Sequence, residues 1–165
     1  MQRSDWLNNF IKNYQTLGVD NFEQLKTIYH PEIIFTDPLH KVNGISNLIH
    51  YFEQLYTHVD ACNFIIEHTF ETHNALSETT NDNTKVATNL NTETTQEAAL
   101  YWTMTYTHRQ LNKNNPITVK GHSHLKTKGD LVYFHQDYID VGAMLYEQIP
   151  VIGRLIKCIK KRASQ

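Results

Sequence analysis

Asp37 stands at the end of the apolar run Ile33-Ile34-Phe35-Thr36 and directly before Pro38. Proline fixes its own φ and drives the preceding residue into extended geometry, so the carboxylate is held in a restricted backbone conformation. Such a carboxylate, set at the end of an apolar strand, suits a general base. Aspartate before proline also ends strands simply as a turn former, and the local sequence alone favours that plainer role.

Further chemistry-bearing residues lie in the last third of the chain. Strand alternation puts Tyr133, His135, Asp137 and Ile139 on one face, which makes His135 and Asp137 neighbours and an acid/base pair if that face meets a cavity. Trp102, Met104 and Tyr106 share one face of another strand, with Tyr101, Thr103 and Thr105 opposite. A Trp/Met/Tyr lining favours a flat, hydrophobic ligand, although the same residues also build plain core. His122-Ser123-His124 is the only useful metal-ligand spacing among ten histidines, with a third ligand to come from His135 or Asp137. Two histidines are a weak signal, and neither a metal nor a cofactor is expected.

The elements that must position these residues follow from period. Trp6, Phe10, Tyr14 and Leu17 predict a helix over Asp5 to Leu17, capped by Ser4 or Asp5 and ended by Gly18. Phe22, Leu25 and Tyr29 predict a short second helix over Asn21 to Tyr29 after Asp20. Ile45, Leu48, Ile49, Phe52 and Tyr56 form the stripe of a third, after Gly44. Asn63 to Thr72, Ala98 to Gln110, Ile117 to Thr127 and Leu131 to Asp140 read as long strands rich in β-branched and aromatic residues. Helices on one side of a strongly bent antiparallel sheet make an α+β cone, whose interior is a natural small-molecule pocket.

Length and composition fit one domain. The 165 residues, 40% of them hydrophobic, bury a sizeable core without disulfides. Cys62 and Cys158 lie far apart, which points to a reducing compartment, and the N-terminus lacks a signal-peptide run, so a cytoplasmic protein is expected. A net charge of −2 gives no push towards nucleic acid. The Thr/Asn-rich stretch 77–97, within a hairpin insertion at 74–97, cannot build a core and reads as a mobile loop, with a lid or dimer contact as the sharper alternative.

The element order, with Asp37-Pro38 closing the first strand, resembles the nuclear transport factor 2-like superfamily, which includes ketosteroid isomerases, SnoaL-like polyketide cyclases and limonene-epoxide hydrolases. The resemblance covers most of the chain and implies the cone fold. In the isomerase pattern the aspartate of the pair shuttles the proton, which Asp37 matches. A tyrosine on the first helix donates to the oxyanion, which Tyr14 matches if one residue is deleted near Gly18. The second, protonated aspartate of those enzymes has no counterpart in Lys120-Gly121-His122-Ser123-His124, where either histidine could stand in only by pointing inward. His135-Gln136-Asp137-Tyr138-Ile139-Asp140 looks like the last-strand signature of the cyclases and epoxide hydrolases, with Asp137 as the strand acid. The arginine and second aspartate that the epoxide hydrolases need are absent from Tyr101 to Thr105.

After Pro150, Ile152, Leu155, Ile156 and Ile159 form an apolar stripe among Arg154, Lys157, Lys160, Lys161 and Arg162. This basic amphipathic helix is expected to pack on the domain, ahead of contact with a membrane surface. The sequence therefore predicts a cone domain over 1–148, a basic helix over 149–165 and a homodimer formed through the outer sheet face. It also predicts a pocket for a hydrophobic small molecule. Asp37, Asp137, His135 and Tyr14 are its catalytic candidates, and Trp102, Met104, Tyr106, His122, Phe35 and Phe52 its ligand-binding candidates. Proton transfer or water addition is the expected chemistry, and a non-catalytic binding or assembly module is the alternative.

Overall fold

The helices form where the apolar spacing places them, with shorter ends. A computed structural model describes residues 3–72 and 95–164, so most of the predicted insertion lies outside the described residues. Helix α1 (Asp5–Gln15) buries Trp6, Leu7, Phe10 and Ile11 and ends at Thr16, ahead of Gly18. The second predicted helix is a 3-10 segment (Phe22–Thr27), and Tyr29 leaves it to start a strand. Helix α2 (Ile45–Leu55) follows Gly44, whose φ of +84° favours glycine, and buries Leu48, Ile49 and Phe52. These side chains join the buried strand residues Ile33, Phe35, Leu100, Trp102, Leu125 and Val132 in one core. Burying each large one contributes about 1.5–3 kcal/mol.

Six strands form one sheet in the order β2-β1-β6-β5-β4-β3. They are β1 (Tyr29–Thr36), β2 (Lys41–Asn43), β3 (Val59–Thr72), β4 (Glu97–His108), β5 (Ile117–Lys128) and β6 (Leu131–Ile139). The sheet is antiparallel except that β1 runs parallel to β6. That parallel register pairs Phe35 with His135 and Thr36 with Gln136, so Asp37 leaves β1 level with Asp137. Two carboxylates a hundred positions apart in the chain are thereby brought to the same end of the sheet.

Alternation fixes which side chains look inward. Gly121 pairs with Trp102 on β4 and with Ile139 on β6. A Cβ there would overlap the Trp102 ring and lie 2.8 Å from the Tyr138 carbonyl oxygen. Gly121→Ala is therefore expected to destabilise the protein by about 2 kcal/mol, read as a fall in melting temperature of roughly 4–8 °C. An unchanged melting temperature would mean that Trp102 does not occupy this space.

The sheet is followed by a short turn of helix, α3 (Val141–Met144), whose N-cap Asp140 accepts a hydrogen bond from Ala143 N–H, and by α4 (Pro150–Ala163). Among the described residues no helix is long and apolar enough to cross a membrane. Helix α4 meets the domain through Gly153 and Lys160: of the expected apolar stripe Ile156 is half-buried, while Ile152, Leu155 and Ile159 are exposed, as is the neighbouring Val151. The physical reason is its rotation, since Gly153 and not the stripe is buried against the backbone of Glu147.

Candidate functional site

The polar centre of the cone is a chain of hydrogen bonds between strands. His135 and Asp137 both point inward from β6, and the His135 Nε2 lies 2.8 Å from Asp137 Oδ1. On β5, Ser123 faces Asp137 in register and donates from Oγ to the same Oδ1 at 2.5 Å. The Trp102 indole N–H donates to Ser123 Oγ at 2.8 Å. At the other end, the Tyr29 hydroxyl lies 2.5 Å from His135 Nδ1. An arrangement in which Tyr29 O–H donates to Nδ1 and Nε2–H donates to Asp137 gives each group a partner. His135 is 1% exposed and ringed by Phe10, Tyr14, Tyr29 and Phe35.

Asp137 differs from an ordinary buried carboxylate in having one oxygen spare. Oδ1 is held by two donors, whereas Oδ2 has none among the described residues and opens onto an inner chamber of about 80 Å³. Tyr14, Phe35, Asp37, Phe52, Phe64, Trp102, Met104 and Ile139 share that wall. The Tyr14 hydroxyl also lacks a hydrogen-bond partner among the described residues, while its ring stacks on Phe10 and meets Phe64 edge-on. Burial, followed by the charges of Asp137 and Asp37 and the neighbouring Cys62 and Tyr51, pushes its pKa well above the usual phenol value. Tyr14 is thus a neutral donor aimed into an apolar space.

Asp37 lines the same chamber but is already engaged. Its Oδ1 accepts backbone N–H groups from Leu39 and His40 at 2.7 and 2.8 Å, and its own N–H donates to the His40 carbonyl. Tyr51 O–H donates to Oδ2 at 2.5 Å. Burial and then this carboxylate raise the Tyr51 pKa. The carboxylate thus accepts from three donors, two of them backbone amides of the turn at Pro38 and the third the Tyr51 hydroxyl from α2.

An outer chamber of about 180 Å³ adjoins the inner one, and Leu39, Leu55, Tyr56, Met104 and Met144 wall both. Tyr106 lines the outer chamber, donates to the Met144 carbonyl and has its pKa pushed up to about 12 by burial. Cys62 is here too, its thiol raised by burial.

Trp102, Met104, Phe35 and Phe52 therefore meet around one chamber with Tyr14, Asp37 and Asp137. His122 does not. Because Gly121 and Ser123 point inward, His122 lies on the outer sheet face, stacked between Tyr101 and Tyr138 at 5.4 and 4.6 Å. His124 shares that face and pairs with Glu97 at 3.1 Å. The sheet thus separates the His122/His124 spacing from His135 and Asp137, and the described residues hold no group of three metal-ligating side chains. Tyr133 also departs from its expected face: a register shift beside Lys126 and Thr127 makes Val132 the buried residue, and the Tyr133 ring lies beneath Lys128 Nζ. Ser123, Tyr29 and Tyr51 were not singled out from the sequence. Ser123 is detectable in principle, since outward histidines at 122 and 124 force the residue between them inward.

Fold and cavity together define an α+β cone protein with an enclosed polar pair in an apolar chamber. The model of the SnoaL-like domain matches residues 11–135, and the chain belongs to that family. An NTF2-like protein of unknown function from Burkholderia pseudomallei superposes with a TM-score of 0.67 at 12% identity, over 90% of this chain and 100% of the other. A protein described as a SnoaL-like polyketide cyclase from Jannaschia sp. superposes at 0.64 with 10% identity, over 92% and 98%. A hypothetical protein of ketosteroid isomerase-like fold from Catenulispora acidiphila, in complex with trimethylamine, superposes at 0.63 with 10% identity, over 89% and 93%. The sequence matches no curated protein. At these identities the likeness is one of fold.

Proposed function

We propose that the protein binds a compact hydrophobic carbonyl compound and catalyses proton transfer on it. The observation that carries this reading is the pairing of a free Asp137 Oδ2 with an unpartnered Tyr14 phenol on one apolar wall. Asp137 serves as the base that takes a proton from carbon next to the carbonyl. Tyr14 donates to the oxygen as it gains charge, an interaction that strengthens in a site from which water is excluded. His135 and Tyr29 hold the carboxylate and extend its hydrogen-bond chain, while Asp37 and Tyr51 shape the chamber. The volumes bound the ligand: a dry cavity of roughly 150 Å³ holds one benzene ring, so the two chambers suit one or two rings.

A thermal-shift screen of small cyclic ketones against matched hydrocarbons tests this. Ketones are expected to raise the melting temperature through binding to the native state. Tyr14→Phe is expected to weaken ketone binding roughly tenfold and to leave hydrocarbon binding unchanged, because only the carbonyl uses the phenol. The small inner chamber favours one second reading, a non-catalytic module whose cone is filled by its own side chains. That reading is supported if no compound shifts the melting temperature.

A further inference from the structure

The apolar stripe of α4 faces away from the domain, and two anchors prevent it from turning back. Gly153 is buried against Glu147, where a Cβ would overlap the carbonyl oxygen and lie 2.9 Å from the carbonyl carbon. Lys160, two turns on, reaches Glu147 Oε1 at 2.5 Å and Asp140 Oδ2 at 3.6 Å. Ile156 lies on that same edge and is half-buried. Val151, Leu155 and Ile159 recur every four residues on a different face with Ile152 beside them, and they are 79%, 61%, 57% and 43% exposed respectively. Arg154, Lys157 and Lys161 lie to one side of this stripe and Arg162 continues its line beyond Ile159, none of them with a carboxylate partner among the described residues, and α4 contains no acidic residue.

We propose that α4 is a surface-seeking helix that holds the protein on anionic phospholipid bilayers. A helix of 14 residues is about 21 Å long and lies flat, with its aliphatic side chains among the acyl chains and its cations at the headgroups. Charge complementarity selects this occupant. Two copies of α4 packed stripe to stripe would bring cations only against cations, with no acid on either helix to relieve them. A nucleic acid would pair with the cations and leave the aliphatic stripe in water. An anionic bilayer satisfies both features.

The test is flotation of the full chain with phosphatidylcholine vesicles, with or without about 30% phosphatidylserine. The expected result is at least tenfold stronger partitioning onto the anionic vesicles, most of it lost in about 0.5 M salt. A Leu155→Glu/Ile159→Glu variant changes only exposed side chains, so its melting temperature should stay unchanged while binding is abolished. Lys157→Gln/Lys161→Gln/Arg162→Gln should remove the preference for anionic lipid. Failure of the wild type to bind anionic vesicles overturns the proposal, as does wild-type binding by the Leu155/Ile159 variant. So does an oligomer that the Leu155/Ile159 variant dissociates in the absence of any vesicle binding, because it assigns the stripe to a protein interface.

Discussion

Asp137→Asn is expected to lower proton-transfer turnover by about 10²- to 10⁴-fold while leaving the fold almost intact. The amide is nearly isosteric. Its single carbonyl oxygen can still accept from both Ser123 Oγ and His135 Nε2, which now share Oδ1. What changes is the atom facing the chamber, where a basic oxygen becomes an N–H donor. Asp137→Ala is the contrasting case: it strands two buried donors and is expected to cost about 3 kcal/mol of stability as well as activity. Parallel measurement of turnover and melting temperature separates the two effects. If Asp137→Asn destabilises the protein as much as Asp137→Ala, the carboxylate is holding the sheet together and not serving the chamber.

The second large effect is alkaline unfolding. Tyr14, Tyr29 and Tyr56 all have pKa values raised well above 10.0, burial being the first cause in each. In the unfolded chain these phenols ionise near pH 10. Above that pH the unfolded state binds fewer protons than the native state, so stability falls as pH rises. The stabilisation is fully present below pH 10 and is lost on the approach to the folded-state values. Three such groups give a slope of about 4 kcal/mol per pH unit, against a total stability of roughly 5–15 kcal/mol. Cooperative loss of circular dichroism is therefore expected within roughly one to four units above pH 10, coincident with a jump in tyrosinate absorbance. Gradual tyrosinate formation with the dichroism unchanged would show that these phenols are open to solvent.

Most of the fold was legible because it rests on local period. The stripes of α1 and α2 and the alternation of β4 are written in consecutive residues, and they place Tyr14, Phe52, Trp102 and Met104 on the correct faces. The misses come from non-local pairing. Tyr29 follows Phe22 and Leu25 at helical spacing, yet its backbone joins β1 and pairs with Val132 on β6, which puts its hydroxyl on His135. Strand β2 has only three residues and carries no period of its own. Tyr51 lies beside the apolar stripe of α2 and meets Asp37 only because the turn at Pro38 folds back towards that helix. The register shift in β6 exchanges Tyr133 for Val132 without a glycine or proline to announce it.

The candidate site was half legible for the same reason. Asp37 and Asp137 both stand out in sequence, but hydrogen bonding separates their roles. Asp37 accepts from two backbone amides and Tyr51, whereas Asp137 keeps Oδ2 free. Which carboxylate has a lone pair for a substrate depends on turn geometry and on Ser123 across the strand pair, and neither is visible from spacing alone.

The most direct test of Asp137 as a base is deuterium incorporation next to the carbonyl of those cyclic ketones that raise the melting temperature, followed in heavy water by NMR. Wild-type protein is predicted to speed exchange well above the buffer rate, Tyr14→Phe to slow it and Asp137→Asn to return it to the buffer rate. Ketones that bind but exchange equally fast with wild type and Asp137→Asn would contradict the assignment of Asp137 as the proton acceptor.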